Sequence, residues 1–179
     1  MPLKAPISAV EIQIFISSSS APDVEPSRNR IQQLIDVVNA AFTSVGSTWR
    51  VQARHWEAEM AQKAVTENLN DLFIRIALDC HHTVALLAKD LRQGTKGEIL
   101  AVLDHSDIGL SVLIFPPGGD INAIDADLSK FLSDYGNRLL YKVCGAADSD
   151  DAWLILTETV LQAVFRYTFK PEESYVESR

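Results

Sequence analysis

Residues 90–104 read DLRQGTKGEILAVLD, and two kinds of chemistry are open to Glu98 within them. Thr95, two intervening residues and then Glu98 before an apolar run form the pattern of a capping box, the ordinary way to start a helix. A glutamate after a glycine-bearing loop that itself follows a strand could instead be a catalytic carboxylate. On residue types alone the capping box is favoured.

The serine run that begins at Ser17 poses a similar choice. As structure, Ser17, Ser18, Ser19 and Ser20 make a flexible exit from a strand, their hydroxyls bonding local backbone groups. As function, hydroxyls and free amides at the end of a central strand could hold a phosphate or a ribose. No G-x-G-x-x-G or Walker pattern occurs, which excludes a conventional dinucleotide or triphosphate loop at the level of motif. His81 and His82 look metal-like, but neighbours on a strand point to opposite faces, and no metal site is expected there. Cys80 and Cys144 form neither a disulfide framework nor a metal motif and read as small buried hydrophobes. No Ser-His-Asp arrangement assembles, and "PPGGD" at 116–120 is most simply a turn.

Five β-like runs alternating with five helical patterns must position these residues. Val10, Ile12, Ile14 and Ile16 mark the first strand, and a proline-marked loop leads to a helix from about Arg28 to Thr43. "WRVQARHW" is the second strand, and Leu69, Leu72, Phe73, Ile76 and Ala77 stripe the second helix. "TVALLAKD" is almost continuously apolar, as expected of a central parallel strand covered on both faces. A third helix follows with Ile99, Val102 and Leu103 inward, then "LSVLIF", a helix with Leu128, Phe131, Leu132 and Tyr135, and the strand "RLLYKVCG". The closing helix, capped by Ser149, leaves little polar face among Trp153, Leu154, Ile155, Leu156, Val160, Leu161, Val164, Phe165, Tyr167 and Phe169, which points to self-association.

Strict β-α alternation implies a parallel sheet with helices on both faces, and five units favour a flavodoxin-like α/β/α arrangement with strand order 2-1-3-4-5. One α/β domain over residues 10–169 is expected between tails at 1–9 and 170–179. Ligands in such folds bind beyond the carboxyl ends of the strands. The serine run, His55 with Trp56, Asp90 to Glu98, Gly118 to Asp120 and Gly145 to Asp148 all fall on that edge. His81, His82 and His105 fall on the opposite one.

The formal charge of −8 and the lack of a basic cluster argue against nucleic acid as a partner. A composition 47% hydrophobic and 22% charged is that of a soluble globular protein, and no stretch reaches the ~20 apolar residues of a membrane span. A cytoplasmic location is expected, since no signal-peptide core is present.

"EIQIFISSSSAPDVEPSRNRI", "ALDCHHTVALLAKDLRQGTKGEILAVLD", "GLSVLIF" and "LLYKVCG…DAWLILTETVLQAVF" together resemble TIR-like bacterial domains of unassigned function found in defence proteins. More distantly, Gly94, Thr95, Glu98 and Ile99 resemble a pattern of the nucleoside 2-deoxyribosyltransferase superfamily. The resemblance implies a flavodoxin-like fold and a nucleotide-type ligand, NAD or a relative, taken as substrate rather than as resident cofactor. It implies that Glu98 attacks or steadies C1′ of a ribose as the N-glycosidic bond breaks, with Asp90 assisting. Ser17, Ser18 and Ser19 would cradle the ligand beside Gly94 and Thr95. Trp56 would stack on a base, a contact worth ~1–3 kcal/mol. The alternative is a non-catalytic sensing or interaction module that assembles through the closing helix, with itself or with a partner protein.

Overall fold

The computed structural model describes residues 10–18, 22–55 and 68–169. Ser19, Ser20, Trp56 and both expected tails lie outside the described residues. Five parallel strands, β1 (Val10–Ser18), β2 (Trp49–His55), β3 (His82–Leu87), β4 (Gly109–Ile114) and β5 (Tyr141–Val143), form one sheet of order β2-β1-β3-β4-β5. The helices described are α1 (Glu25–Ser44), α2 (Leu69–Asp79), α3 (Gln93–Leu103), α4 (Ala126–Tyr135) and α5 (Asp150–Thr168). This is the flavodoxin-like order expected from the alternation. Among the described residues, no helix is long and apolar enough to cross a membrane.

Alternation along β1 and β3 divides the core. Ile12, Ile14 and Ile16, with Val84 and Leu86, pack against α1 and α5. Phe15 points the other way, onto Leu72 and Ile76 of α2 and Val102 of α3. Ala85, Leu87, Val112 and Ile114 meet Ile99 of α3 and Leu128 and Phe131 of α4. A one-residue slip of β1 would put Gln13 in place of a buried isoleucine, and each Ile lost from the core costs about 1.5–3 kcal/mol. The register is therefore firm, with Ile14 opposite His82 and Ser17 opposite Ala85. The same alternation sends Ser17 to the α2/α3 side, two residues beyond Phe15.

Two helices begin earlier than their sequence patterns suggest. Helix α1 starts at Glu25 rather than near Arg28, because Pro26 sits in its first turn. A proline there loses no hydrogen bond, and its fixed φ already suits the helix. Helix α3 starts at Gln93, with Arg92 in the cap position and no side-chain cap. Thr95 therefore lies inside the first turn, and Glu98 is too far along to reach the cap amide. The capping box is not formed. Helix α5 follows expectation, with the Ser149 hydroxyl accepting from the Ala152 amide at 3.2 Å. Leu69, placed on the inner stripe of α2 by periodicity, is exposed at the helix start.

Candidate functional site

Glu98 turns its carboxylate inward, toward the end of β1. The Ser17 hydroxyl donates to Glu98 Oε2, and both residues are buried. Burial raises the Glu98 pKa above the ordinary carboxylate value, and the Ser17 hydrogen bond opposes that rise in part. A carboxylate stripped of water in this way gains most when positive charge develops beside it.

The pair lines a cavity of ≈ 160 Å³ beside the carboxyl ends of β1 and β3. These strands are adjacent in the sheet but not in sequence, so this is the switch point of the topology. Helix α3 contributes Gly94, Thr95 and Glu98, and β1 contributes Phe15, Ser17 and Ser18. The Ser18 hydroxyl oxygen is buried without a hydrogen-bond partner. A buried hydroxyl left in that state costs about 1–3 kcal/mol unless something supplies a partner. Gly94 packs closely under α2: a Cβ there would come within 3.1 Å of Asn70 Oδ1, and the Asn70 side chain would have to shift slightly.

Of the residues singled out in the sequence, Glu98, Ser17, Ser18, Gly94 and Thr95 therefore meet at one cavity. Asp90 does not line it; its carboxylate lies 3.6 Å from the Arg92 guanidinium at the half-exposed mouth. Ser19 and Trp56 fall outside the described residues. His55 closes β2 and places Nε2 3.4 Å from Gln32 Oε1, away from the cavity lining. Sequence reasoning missed Asn70, Phe73 and Arg92, all of which line the cavity. Phe73 sits on the apolar stripe of α2 and was indistinguishable from core, whereas Arg92 immediately precedes the first helical residue.

The histidines at the opposite edge have other partners. His81 accepts from the Gln13 amide through Nδ1 at 3.1 Å, and its carbonyl accepts from the Tyr167 hydroxyl. His82 Nε2 lies 3.0 Å from Ser111 Oγ, and the buried ring is held near a pKa of about 4 by desolvation, aided by the Arg166 charge. Cys80 and Cys144 are both buried, and burial pushes the Cys144 thiol up to about 11, far from nucleophilic reactivity at neutral pH.

A second cavity, of ≈ 320 Å³, lies at the same carboxyl edge between the loops that leave β4 and β5. Phe115, whose side chain packs with the α1/α5 layer, forms part of its wall. The "PPGGD" turn expected from sequence forms another part, with Gly118 at φ 62° and Gly119 at φ 76°.

No family model matches the chain, and no curated protein matches it significantly. Among solved structures, a Streptococcus pneumonia TIGR4 flavodoxin aligns with a TM-score of 0.47 at 9% identity, over 88% of this chain and 99% of its own. An NADPH-quinone reductase from P. pentosaceus aligns with a TM-score of 0.37 at 12% identity, over 86% of this chain and 96% of its own. The flavodoxin-like fold follows from the parallel strand order β2-β1-β3-β4-β5 itself.

Proposed function

We propose that this chain is a TIR-like nucleotide-binding domain that hydrolyses the N-glycosidic bond of NAD or a related nucleotide, with Glu98 acting at C1′ of the ribose. The observation that carries the reading is the buried Glu98 carboxylate, held by the Ser17 hydroxyl inside a cavity at the sheet's switch point and unused as a helix cap. The cavity is smaller than the roughly 300–1,000 Å³ of a whole drug-sized ligand site, so it takes one ring of a nucleotide rather than all of it.

The chemistry follows from the carboxylate. As the C1′–N bond breaks, its electron pair leaves with the base and positive charge spreads over C1′ and the ring oxygen. Glu98 stabilises that charge, or closes on C1′ as a covalent ester that water then hydrolyses. From NAD the base departs as neutral nicotinamide and needs no proton. Ser17 aims the carboxylate, and Ser18 offers its unpartnered hydroxyl to the ligand.

Incubation with NAD, nucleosides and deoxynucleosides, followed by chromatography, tests this directly. Released base is expected from at least one of them, and Glu98→Gln is expected to abolish it without loss of folding. No base release at high protein concentration, including in any assembled form, would overturn the reading.

A second reading is a non-catalytic module that self-associates through α5. It is favoured by Leu154, Phe165 and Phe169, which are 66%, 51% and 75% exposed along that helix and its cap. The Phe165 and Phe169 rings stack edge-on at 5.5 Å. Sedimentation of the wild type against Phe165→Asp decides it: a wild-type oligomer reduced to monomer by the charge supports the reading, and a monomer in both removes it.

A further inference from the structure

We propose that the second cavity at the carboxyl edge binds the purine nucleoside half of a dinucleotide, through apolar walls for the base and the Asp23 and Asp148 carboxylates for its donors. This rests on the reading of Glu98 as the group that acts on the other ribose.

At ≈ 320 Å³ the cavity falls within the roughly 300–1,000 Å³ typical of small-molecule sites, large enough for a base with its sugar. Phe115, Pro116 and Pro117 form one wall, and Pro26 and Ala147 stand among its other lining residues. Rigid rings and a small side chain give apolar surfaces suited to a planar heterocycle, with little side-chain entropy to lose on binding.

The walls are fixed by interactions made for them. The Arg30 guanidinium donates to the carbonyls of Ala147 at 3.2 Å, Asp148 at 2.7 Å and Ser149 at 2.9 Å. It also lies 5.6 Å from the Trp153 ring centroid. Arg30, with Ser27 donating to the Ala147 carbonyl at 3.4 Å, thus ties the loop between β5 and α5 to α1. Across the cavity, Gly118 takes φ 62° although a Cβ there would meet nothing within 4 Å. Glycine is required at that position for the turn and not for space.

Charge selects the occupant. Asp23 and Asp148 are exposed carboxylates at the cavity, and together they disfavour phosphate inside it, which keeps a dinucleotide's diphosphate outside, along the strand ends. They accept hydrogen bonds, which suits ribose hydroxyls and an exocyclic amine. The exit of β1 supplies Ser17 and Ser18 to the first cavity and leads to Asp23 and Pro26 in the second. Phe15 and Phe115 pack on opposite faces of the sheet, so the two cavities flank the strand ends from either side. A dinucleotide laid across those ends would put its reacting ribose at Glu98 and its second nucleoside between Phe115 and Ala147.

The test is titration of adenosine, AMP and nicotinamide riboside into the ¹⁵N-labelled protein. Adenosine is expected to move the Gly118, Gly119 and Ala146 amides and leave Gly94 and Gly97 in place, and to bind more tightly than AMP. Ala146→Phe is expected to weaken adenosine at least ten-fold. Failure of millimolar adenosine to move Gly118, shifts centred on Gly94 instead, or AMP binding more than ten-fold tighter than adenosine would each overturn the proposal. Adenosine bound at Gly118 with no base released from NAD would leave this site standing and remove the glycosidase reading. Base release with adenosine silent at Gly118 would do the reverse.

Discussion

The Ser17 hydroxyl donates to the Glu98 carboxylate across 81 positions of sequence, joining the end of the interior strand β1 to the second turn of α3. Neither residue bonds as its local sequence suggests: the serine does not cap its own loop, and the glutamate does not cap its own helix. Each is committed to the other inside a cavity, where burial works against the charged form of Glu98.

Replacing Glu98 by Gln keeps an acceptor for Ser17 and removes a buried charge. Because the folded-state pKa of Glu98 is raised, its ionisation favours folding least at high pH: its contribution is intact below the unfolded value of 4.5 and is lost as pH rises through the folded value. Glu98→Gln is therefore expected to be more stable than wild type at neutral pH and level with it in acid. Base release is expected to fall at least ~100-fold. Urea midpoints at several pH values, read beside the chromatographic assay, check both. A variant that loses activity and stability together would show Glu98 to be structural.

Ser17→Ala tests the partner. The Ser17 hydrogen bond lowers the Glu98 pKa, so its removal lets desolvation act unopposed. The acidic limb of the pH–rate profile is expected to move to higher pH, while the rate well above that limb falls less than in Glu98→Gln. A profile that keeps its position would mean that the titrating group lies elsewhere.

Much of this arrangement is legible in the sequence, and its failures have physical causes. The period-2 run Ile12, Ile14, Ile16 and the all-buried β3 gave the faces and the parallel sheet, and with them the edge where ligands belong. Pro26 reads as a loop residue but is equally at home in a first helical turn, which hid the start of α1. Thr95 and Glu98 carry capping-box spacing, yet the chain is already helical at Gln93, and local pattern does not record where a helix begins when its cap is Arg92. Phe73 is apolar at helical spacing, so its place at the cavity follows only from how α2 packs against β1 and α3.

His82 sets a second pH dependence. Its folded pKa is depressed from 6.5 to about 4 by burial and by Arg166, so the folded state binds fewer protons than the unfolded chain between those values. Its stabilising effect is complete above pH 6.5 and is lost as pH falls toward 4, a loss of about 3 kcal/mol at most. Glu98 changes in the opposite sense on acidification, so the measurement belongs in the Glu98→Gln background. Urea midpoints from pH 7.5 to 4 are expected to fall there, and to fall much less once His82→Asn is added.

His82 also dictates its neighbour. A Cβ on Gly109 would come within 2.7 Å of His82 Cε1, and closer still to Nδ1. The ring is buried, and Nε2 already faces Ser111, so it has little room to retreat. Gly109→Ala is expected to cost about 1–3 kcal/mol by overpacking. Because the clash is with one side chain, His82→Ala/Gly109→Ala should be more stable than the sum of the two single losses predicts, a coupling of about 1 kcal/mol or more. Strict additivity in thermal or urea unfolding would place the cost in the backbone of β4 instead.

Arg30 offers the broadest test of how the carboxyl edge is built. Its guanidinium serves three consecutive carbonyls, Ala147, Asp148 and Ser149, just ahead of the Ser149 cap of α5. A lysine carries the charge but cannot present the same fork of donors, and it stacks less well on Trp153. Arg30→Met is expected to lose about 2–3 kcal/mol, and Arg30→Lys to recover less than half of that. Amide exchange should rise first at Ala146 and Asp148, with Gly94 and Thr95 unaffected, because α3 takes no bond from Arg30. Equal exchange gains at both cavities would show that Arg30 supports the whole domain and not one loop. Full recovery by lysine would show that charge alone, without the planar fork, holds the wall in place.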